Sequence, residues 1–394
     1  MTDFIQITGL SEVTASEWDN LNPSHYPFAR YAFLHALEQT GCVDSPELNV
    51  SNSGWQPRHL IKRGTEGELI AAIPAYIKRH SYGEYVFDWQ WAEAYAQYGM
   101  DYYPKLLCAI PFTPATGPRL LGADQHFNHL ASLLSTLCTE QGLSGWHLNF
   151  PTEQQATLSF NNSEFHPQQR HGCQFHWHNE AFTSFDQYLT TFVSRKRKNV
   201  IKERRKVVEQ GIQIERKTGK EITAENIQFF YHCYLDTYQK RRSSPYLTKA
   251  FFLQLIETMA EQMMLVLARK DGEYCAAALY FFDDTTLYGR YWGCLEDVDA
   301  LHFEACYYQG IEFCIEHQLK TFDPGTQGEH KISRGFRPVL TRSVHWLQHP
   351  GFHDAIRRFV KEEAQHILAY QQDATSLLPF HREHGSAIKP AHDE

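Results

Sequence analysis

The densest charge feature of the sequence is a run of cations that could bind phosphate groups. Eight of the twelve residues from 195 to 206 are Lys or Arg, and Glu203 is the only acid among them. Val193, Val200 and Val207 recur every seven residues, which predicts a helix with this seam buried. The cations predicted to share one flank and to hold phosphates of a nucleotide-linked substrate or a tRNA are Arg195, Lys198, Lys202 and Arg205. A solvated basic face is the alternative interpretation.

A second candidate site lies further along the chain, where an aromatic strand precedes a glycine-rich cationic loop. Residues 286–292 are predicted to form the strand, and a later strand over 320–323 leads into the loop. Glycine lets a ligand approach the backbone, whose N–H groups bind an oxyanion or a phosphate. The residues predicted to bind substrate here are Arg290, Tyr291, Trp292, Gly325, Gly328, Arg334 and Arg337. An ordinary turn-rich connection with surface charges is the alternative.

Two proline-punctuated loops in the first half of the chain each end in a cation. The loop at 102–105 ends in Lys105, and the loop at 113–119 ends in Arg119. We expect these cations to line a pocket for an acceptor substrate. The alternative is that proline and glycine only set the turns around a hydrophobic scaffold.

Four histidines between the two halves raise the question of a metal ion. They are His166, His171, His176 and His178, and the last two alternate on one strand face. No cysteine is suitably spaced to complete a zinc site. We therefore predict strand-face histidines packed against aromatic rings and no metal site.

Composition narrows the class of protein. The 394 residues carry 37 Lys and Arg against 46 Asp and Glu, a net charge of −9, which excludes a general nucleic-acid coat and disfavours a DNA partner. The nine cysteines form no CxxC pair, so we expect buried free thiols of a reducing compartment. The acidic N-terminus does not resemble a signal peptide, and no apolar run is long enough to span a membrane. We predict a cytoplasmic protein.

The elements that must position these residues form two comparable sets. Each half is predicted to contain helices, a β-hairpin and a strand–helix–strand unit. The predicted elements of the first half are the hairpin 58–63 and 69–78, a strand at 84–89, a helix at 126–141 and a strand at 146–150. Those of the second half are helices at 185–210, 225–240, 249–262 and 301–318, the hairpin 263–282 and strands at 212–217, 286–292 and 320–323. The predicted domains are 1–180 and 181–373, with a final helix near 351–372 and a polar tail at 374–394.

The order of these motifs resembles the FemAB-like acyltransferases of the GNAT (acyl-CoA N-acyltransferase) superfamily. The similar pieces are Ser194–Lys206, Tyr238–Arg241, Arg290–Gly293, Phe322–Gly325 and Gly328–Phe336. YYPKL and PFTPATGPRLL within 102–121 and GEHKISRGF at 328–336 are closer still to one bacterial branch of that family. The resemblance spans roughly residues 20–370.

This resemblance implies the fold and the activity. The fold class would be α/β (α+β), with two tandem GNAT-like domains whose mixed central sheets are flanked by helices and face a cleft. The activity would be transfer of an acyl or aminoacyl group from an activated donor to an amine (EC class 2.3), with a peptidoglycan precursor as one candidate acceptor. Residues 296–299 include three acids where a glycine-rich pyrophosphate loop is expected, which disfavours acyl-CoA binding by the second half and leaves an aminoacyl-tRNA or another activated acyl donor open. The candidate co-substrates are therefore acyl-CoA and aminoacyl-tRNA. No tightly bound cofactor is expected.

In such a reaction the enzyme positions two substrates and stabilises an oxyanion. We predict that Lys331 binds the oxyanion or a phosphate and that nearby carboxylates and histidines accept a proton. The predicted catalytic residues are His302, Glu304, Asp323, His330 and Lys331. A non-catalytic module that recognises a cell-wall precursor or nucleotide-linked ligand is the alternative function. Sequence-specific nucleic-acid binding is a third interpretation, which the acidic net charge disfavours.

Overall fold

The computed structural model describes residues 4–22, 24–45, 47–158, 164–326 and 328–381. Of the predicted polar tail, residues 382–394 lie outside these ranges. The chain divides into two compact units. Unit 1 contains Met1–Gly172, Tyr246–Thr258 and Leu340–Leu368, and unit 2 contains Cys173–Pro245, Met259–Val339 and Ala369–Glu394. The domain limits at 180 and 373 stay predictions, because these units are defined by contacts in space.

The described β-strands are two to eleven residues long. They are β1 (Phe4–Ile7), β2 (Trp55–Pro57), β3 (His59–Arg63), β4 (Leu69–Ile73), β5 (Ala75–Lys78), β6 (Lys105–Cys108), β7 (Leu121–Gly122), β8 (Gly145–Asn149), β9 (Gln168–His178), β10 (Gln213–Thr218), β11 (Met263–Lys270), β12 (Glu273–Phe282), β13 (Thr286–Cys294), β14 (Thr321–Asp323) and β15 (Arg337–Leu347).

The helices flank these strands. They are α1 (Ala15–Asp19), α2 (Tyr31–Gln39), α3 (Trp89–Gln97), α4 (Leu130–Gln141), α5 (Glu153–Leu158), α6 (Phe185–Thr190), α7 (Ser194–Glu209), α8 (Ala224–Lys240), α9 (Lys249–Thr258), α10 (Leu301–Phe303), α11 (Gln309–Glu316) and α12 (Pro350–Ser376). A π-helical segment, Glu304–Tyr308, joins α10 to α11, and a 3-10 turn, Glu329–Arg334, precedes β15.

Unit 1 contains two groups of paired strands. The first is antiparallel throughout, in the order β1-β3-β4-β7, and the second runs β15-β8-β6-β5-β2 with β6 parallel to β8. Helix α4 connects β7 to β8 and buries its leucine face, and it ends where Gly142 adopts a φ of +65°. On that face the Trp146 indole N–H donates to Ser135 Oγ over 2.9 Å. The predicted helix 126–141 and strand 146–150 correspond to α4 and β8, whereas the strand that pairs in parallel with β8 is β6 and not the predicted strand 84–89.

Unit 2 has one mixed sheet in the order β10-β11-β12-β13-β14-β9, with β13 parallel to β14. The residues of β11 and β12 are buried except near the strand ends, as expected for central strands covered on both faces. A capping box at Thr223 and Asn226 starts α8, which packs on β13. A Cβ at Gly293 would lie 2.0 Å from the Cys233 carbonyl oxygen, so only glycine permits this approach.

Most predicted elements are present, with three corrections. Residues 84–89 form a loop and the start of α3 instead of a strand, because Gly83 and Tyr85 adopt left-handed φ values of +79° and +59°. The predicted helix 185–210 is two helices, α6 and α7, separated by a break. The predicted valine seam is buried at Val200 and Val207, but Val193 precedes α7 and is 36% exposed.

Two further predictions concern cysteines and membrane spans. All nine cysteines are free, six of them buried and three half-buried. Within the described ranges, every helix is too short or too polar to span a bilayer.

Candidate functional site

Lys331 is the centre of the candidate site in unit 2. Its side chain lies on the 3-10 turn before β15 and is only 1% exposed. The Nζ donates a hydrogen bond to the Gly325 carbonyl oxygen. Burial lowers the pKa of Lys331 to about 8, although the nearby Asp323 carboxylate favours the charged form. A buried ammonium whose pKa lies this low is a frequent feature of functional sites.

Asp323 and His176 complete the polar group around this amine. Asp323 is the last residue of β14, where the parallel pairing with β13 ends at Tyr288. Its Oδ1 accepts from the Gly325 N–H over 2.8 Å and lies 3.6 Å from His176 Nε2. Burial lowers the pKa of His176, so the imidazole is neutral at pH 7. The sequence marked His176 only as a candidate metal ligand, and its alternation with His178 was the one available signal.

Two glycines give the loop its shape. Gly325 has a φ of +90°, and a Cβ there would lie 3.3 Å from the Gly289 carbonyl oxygen of β13. Gly328 has a φ of +100°, and a Cβ there would lie 1.9 Å from the His330 ring. Both backbone conformations are ones that residues with side chains rarely adopt. The backbone conformations of Gly325 and Gly328 therefore allow the predicted glycine-rich loop to bring Lys331 against the end of β14.

Strand β13 continues beyond Tyr288, where its pairing with β14 ends, and carries the predicted aromatic residues Tyr291 and Trp292. Pairing with β12 shifts register between Tyr280 and Leu279, which leaves Arg290 as the extra residue of a β-bulge. Arg290, Tyr291 and Trp292 are all half-buried. Tyr291 packs edge-on against Tyr234 of α8, with 5.6 Å between ring centroids. A bulge at this point changes the direction of the side chains that follow it.

Histidine and aromatic rings form a wall next to Lys331. His302 contacts Trp292 at 5.5 Å, Tyr307 at 5.3 Å and His330 at 6.0 Å between ring centroids. Burial, and after it the neighbouring His330 and cations, lower the pKa of His302 to about 4. His330 Nε2 lies 2.7 Å from the Tyr307 hydroxyl, and burial lowers the pKa of His330 as well. Both predicted histidines are neutral at pH 7 and are close to each other.

Arg334 is held by internal partners. Its guanidinium donates to Glu203 Oε1 over 2.7 Å and to the Tyr308 hydroxyl over 3.1 Å, and it lies 3.4 Å from the centroid of Phe303. Tyr188 donates to the Arg334 carbonyl over 2.7 Å. These contacts fix the 3-10 turn that carries Lys331 onto α7 and the π-helical segment. Glu203, the single acid in the basic run, was not predicted as part of the site.

Glu304 is buried in a charge network instead of facing open solvent. Arg204 of α7 donates to both of its oxygens, over 3.0 and 2.9 Å, and Gln309 donates over 2.7 Å. Arg204 also donates to Glu312 over 2.7 Å. The π-helical segment Glu304–Tyr308 widens the helix here, a distortion that often occurs at functional sites. Arg204 and Gln309 therefore hold the Glu304 side chain in a fixed position inside unit 2.

The predicted cationic flank of α7 is on the surface. The exposed members are Arg195, Lys198, Lys202 and Arg205. Arg205 lies 3.3 Å from Glu209 one turn later, a surface ion pair of small energetic weight. Arg337, predicted to bind substrate, instead pairs with Glu180 and lies 5.1 Å from the centroid of Phe380. Lys331 and Arg334 lie on the same 3-10 turn, whereas Arg337 on β15 contacts Glu180 and Phe380.

In unit 1 the two predicted substrate-binding cations are interior. Lys105 is fully buried, with its Nζ 2.9 Å from Glu84 Oε2, 3.0 Å from Ser81 Oγ and also bonded to Asp88. Arg119 is fully buried as well, and its guanidinium donates to backbone carbonyls at Ala115, Gly117, Pro118 and Asn149. Arg119 therefore closes the proline-rich loop on itself. That role agrees with the turn-setting alternative for this segment.

A metal site is not formed by the histidines. Among the residues that the structure describes, no three His, Cys, Asp or Glu side chains lie close enough to hold a metal ion. Burial lowers the pKa of His178 to about 4, and this side chain lies near Arg337 and His176.

The fold of this protein is similar to those of several solved structures. The structure is similar to that of FemX, with 14% identity, a TM-score of 0.50 and coverage of 88% of this chain and 98% of that one. It is also similar to the C-terminal domain of a candidate lysylphosphatidylglycerol synthetase from Agrobacterium fabrum, with 8% identity, a TM-score of 0.53 and coverage of 88% and 95%. A tandem GNAT protein from the clavulanic acid pathway matches at 9% identity and a TM-score of 0.40, covering 88% and 98%. No curated protein matches the sequence.

The predicted α/β fold class, with mixed central sheets flanked by helices, is confirmed. A family model described as FemAB-like, peptidoglycan biosynthesis/recognition, matches residues 9–382. The chain therefore belongs to the FemAB-like family.

Proposed function

We propose that this protein is an N-acyltransferase that moves an acyl or aminoacyl group from an activated ester or thioester to an amine. Family membership supports a role with peptidoglycan precursors. The observation that carries the proposal is the buried Lys331, whose pKa of about 8 leaves it mostly charged at pH 7. A charged donor in a water-poor site stabilises developing negative charge far better than one in water.

The reaction would proceed by attack of the acceptor amine on the donor carbonyl. A C–N bond forms, the carbonyl oxygen becomes an oxyanion, and collapse breaks the C–O or C–S bond to the leaving group. Lys331 would donate to that oxyanion, and the Asp323 carboxylate keeps the ammonium charged. His302 or His330, both neutral at pH 7, would accept the amine proton.

The donor and the acceptor are part of this proposal. The donor candidates are aminoacyl-tRNA and acyl-CoA, and the acceptor is an amine of a peptidoglycan precursor. A second candidate function is recognition of such a precursor without turnover, which the family description also names. The ion pairs Arg204–Glu304 and Arg334–Glu203 are compatible with either function, because they hold the segments around Lys331 on α7.

The test is a transfer assay with matched lysine variants. Purified protein is incubated with each donor and an amine-bearing peptidoglycan precursor, and products are read by mass spectrometry. We expect Lys331→Met to reduce kcat/KM by about 100-fold or more, as for the loss of one oxyanion donor, and Lys320→Met, an exposed lysine of unit 2, to leave it unchanged. Equal rates in both variants would overturn the role of Lys331. Precursor binding without product from either donor would support the recognition function.

A further inference from the structure

The outward face of α7 combines exposed cations with exposed aliphatic side chains. Ile201 is 49% exposed and Val208 is 71% exposed, although both belong to a helix that already buries Val200 and Val207. With about 3.6 residues per turn, positions 201 and 208 lie two turns apart on nearly the same line. The cations on the same side of the helix are Lys198, Lys202 and Arg205. We call these five residues the α7 face.

The α7 face is not needed to hold the helix in place. A neighbouring side of the helix holds it in place through the buried Val200 and Val207 and through Arg204, which binds Glu304 over 2.9 Å and Glu312 over 2.7 Å. The adjoining Lys206 pairs with Asp299 over 2.5 Å, and Arg205 pairs with Glu209. Lys198, Lys202, Ile201 and Val208 therefore point away from the packed side of unit 2.

The mixture of side chains distinguishes between two anionic partners. Phosphates of a nucleic acid would attract the cations but would leave two branched aliphatic side chains in water. The interface of an anionic bilayer accepts both, because the cations meet lipid headgroups while the aliphatic groups enter the headgroup–acyl boundary. The chain as a whole carries a net charge of −9, so attraction to an anionic surface must come from a local face such as this one.

We infer that the α7 face docks unit 2 onto an anionic lipid surface as a peripheral contact. The cations supply the long-range attraction, and Ile201 and Val208 supply the short-range insertion. This contact concerns the surface of the helix and not the chemistry at Lys331, so it stands independently of the proposed transfer reaction.

Vesicle co-sedimentation of the full chain tests this inference. Vesicles of pure phosphatidylcholine are compared with vesicles containing about one third phosphatidylglycerol, at low and physiological salt. We expect binding to the anionic vesicles, weakened by salt, and little binding to the neutral ones. Lys198→Glu/Arg205→Glu should weaken binding by at least about tenfold, and Ile201→Ser/Val208→Ser should weaken it by about tenfold at unchanged charge.

The matched control is Leu295→Ser, which removes an equally exposed aliphatic side chain of unit 2, 49% exposed, that is followed by the acids Glu296 and Asp297. We expect it to bind as the wild type does. Absence of binding to anionic vesicles, or binding that Ile201→Ser/Val208→Ser leaves unchanged, would overturn the inference. Displacement of bound vesicles by tRNA, together with tRNA binding that the aliphatic variant retains, would instead assign the cations to nucleic acid. Circular dichroism of each variant confirms folding, and the readout requires no turnover.

Discussion

Unit 1 buries Lys78 and Lys105 completely and unit 2 buries Lys331, and the surroundings of Lys105 and Lys331 shift the pKa values of these two lysines in opposite directions. Lys105 of unit 1 touches two carboxylates, Glu84 and Asp88, which raise its pKa against the effect of burial. Lys331 of unit 2 donates to a backbone carbonyl and has Asp323 only at electrostatic range, so burial dominates and lowers its pKa to about 8. Burial is nearly equal, so the number of partner carboxylates decides the direction of the pKa shift.

The comparison separates a lysine held by internal carboxylates from the lysine that we propose binds the oxyanion. Lys105 belongs to a chain of internal contacts in which Tyr102 donates to Asp88 over 2.7 Å and lies 3.3 Å from His147. Lys105 and the histidine also hold the pKa of Asp88 well below its usual range despite its burial, while burial raises the pKa of Glu84 to about 7. Lys105 therefore stays charged, and its ammonium donates hydrogen bonds to Ser81, Glu84 and Asp88. Among the residues that the structure describes, the Lys331 Nζ donates to one partner, the Gly325 carbonyl, and its pKa of about 8 is in the range expected of the proposed oxyanion donor.

The largest expected effect comes from removing Lys105. Lys105→Met would leave the ionised Asp88 buried without its partner, and breaking a buried pair costs about 3–5 kcal/mol. We expect the free energy of unfolding of unit 1 to fall by that amount in equilibrium urea titrations. Lys320→Met is the exposed control and should change stability by less than about 0.5 kcal/mol. A loss below about 1 kcal/mol for Lys105→Met would mean that Lys105 is not the counter-charge of the cluster.

The same substitution at Lys331 should act in the opposite direction. Its pKa falls from 10.5 to about 8 on folding, so the charged form costs up to about 3 kcal/mol below pH 8. The unfolded chain binds more protons between about pH 8 and 10.5, and stability therefore rises with pH in that window. We expect Lys331→Met to be as stable as the wild type or more stable at pH 7, with the difference shrinking by pH 10. Urea titrations at several pH values measure it, and a destabilised Lys331→Met at pH 7 would contradict the comparison.

A smaller effect is expected from the acid that orients the turn carrying Lys331. Glu203→Gln keeps the size of the side chain but weakens the 2.7 Å contact with Arg334, which is 6% exposed. We expect a loss of about 1–2 kcal/mol in unfolding free energy. If Glu203 positions Lys331, the variant should also lower kcat of the proposed transfer more than it changes KM. Glu209→Gln, on an exposed pair of the same helix, is the control. Loss of stability alone would assign Glu203 a purely structural role.

The sequence predicted the local parts of this arrangement and missed the long-range ones. Strand β14, the glycine loop and Lys331 lie within a dozen residues, so turn chemistry and charge were enough to find them. The partner of Glu304 is Arg204, which lies 100 positions away, and no local pattern indicates that contact. Because the sequence did not indicate that Arg204 binds Glu304, Glu304 was predicted as a proton acceptor.

The sequence also did not predict that Lys105 and Arg119 are buried. Lys105 and Arg119 follow prolines or glycines in loop-like sequences, where a cation is usually exposed. Only the fold shows that four carbonyls surround Arg119 and that two carboxylates meet Lys105. His176 was visible as one of two alternating histidines, but its 3.6 Å approach to Asp323 depends on the pairing of β9 with β14.

The smallest expected effect is a shift of the pH profile, and it tests why Lys331 still ionises at pH 7. Asp323 favours the charged form of Lys331, so Asp323→Asn should lower the pKa of Lys331 below about 8. The proposed transfer uses the ammonium and should decline in the wild type as pH rises through about 8, and the variant should decline at lower pH. An NMR titration of the lysine Cε resonances gives the pKa directly, with Asp299→Asn as the surface control because Asp299 pairs with the exposed Lys206. If the pKa of Lys331 is unchanged in Asp323→Asn, the Asp323 carboxylate does not keep Lys331 charged at pH 7. The difference in pKa between Lys331 and Lys105 would then come from their hydrogen bonds alone.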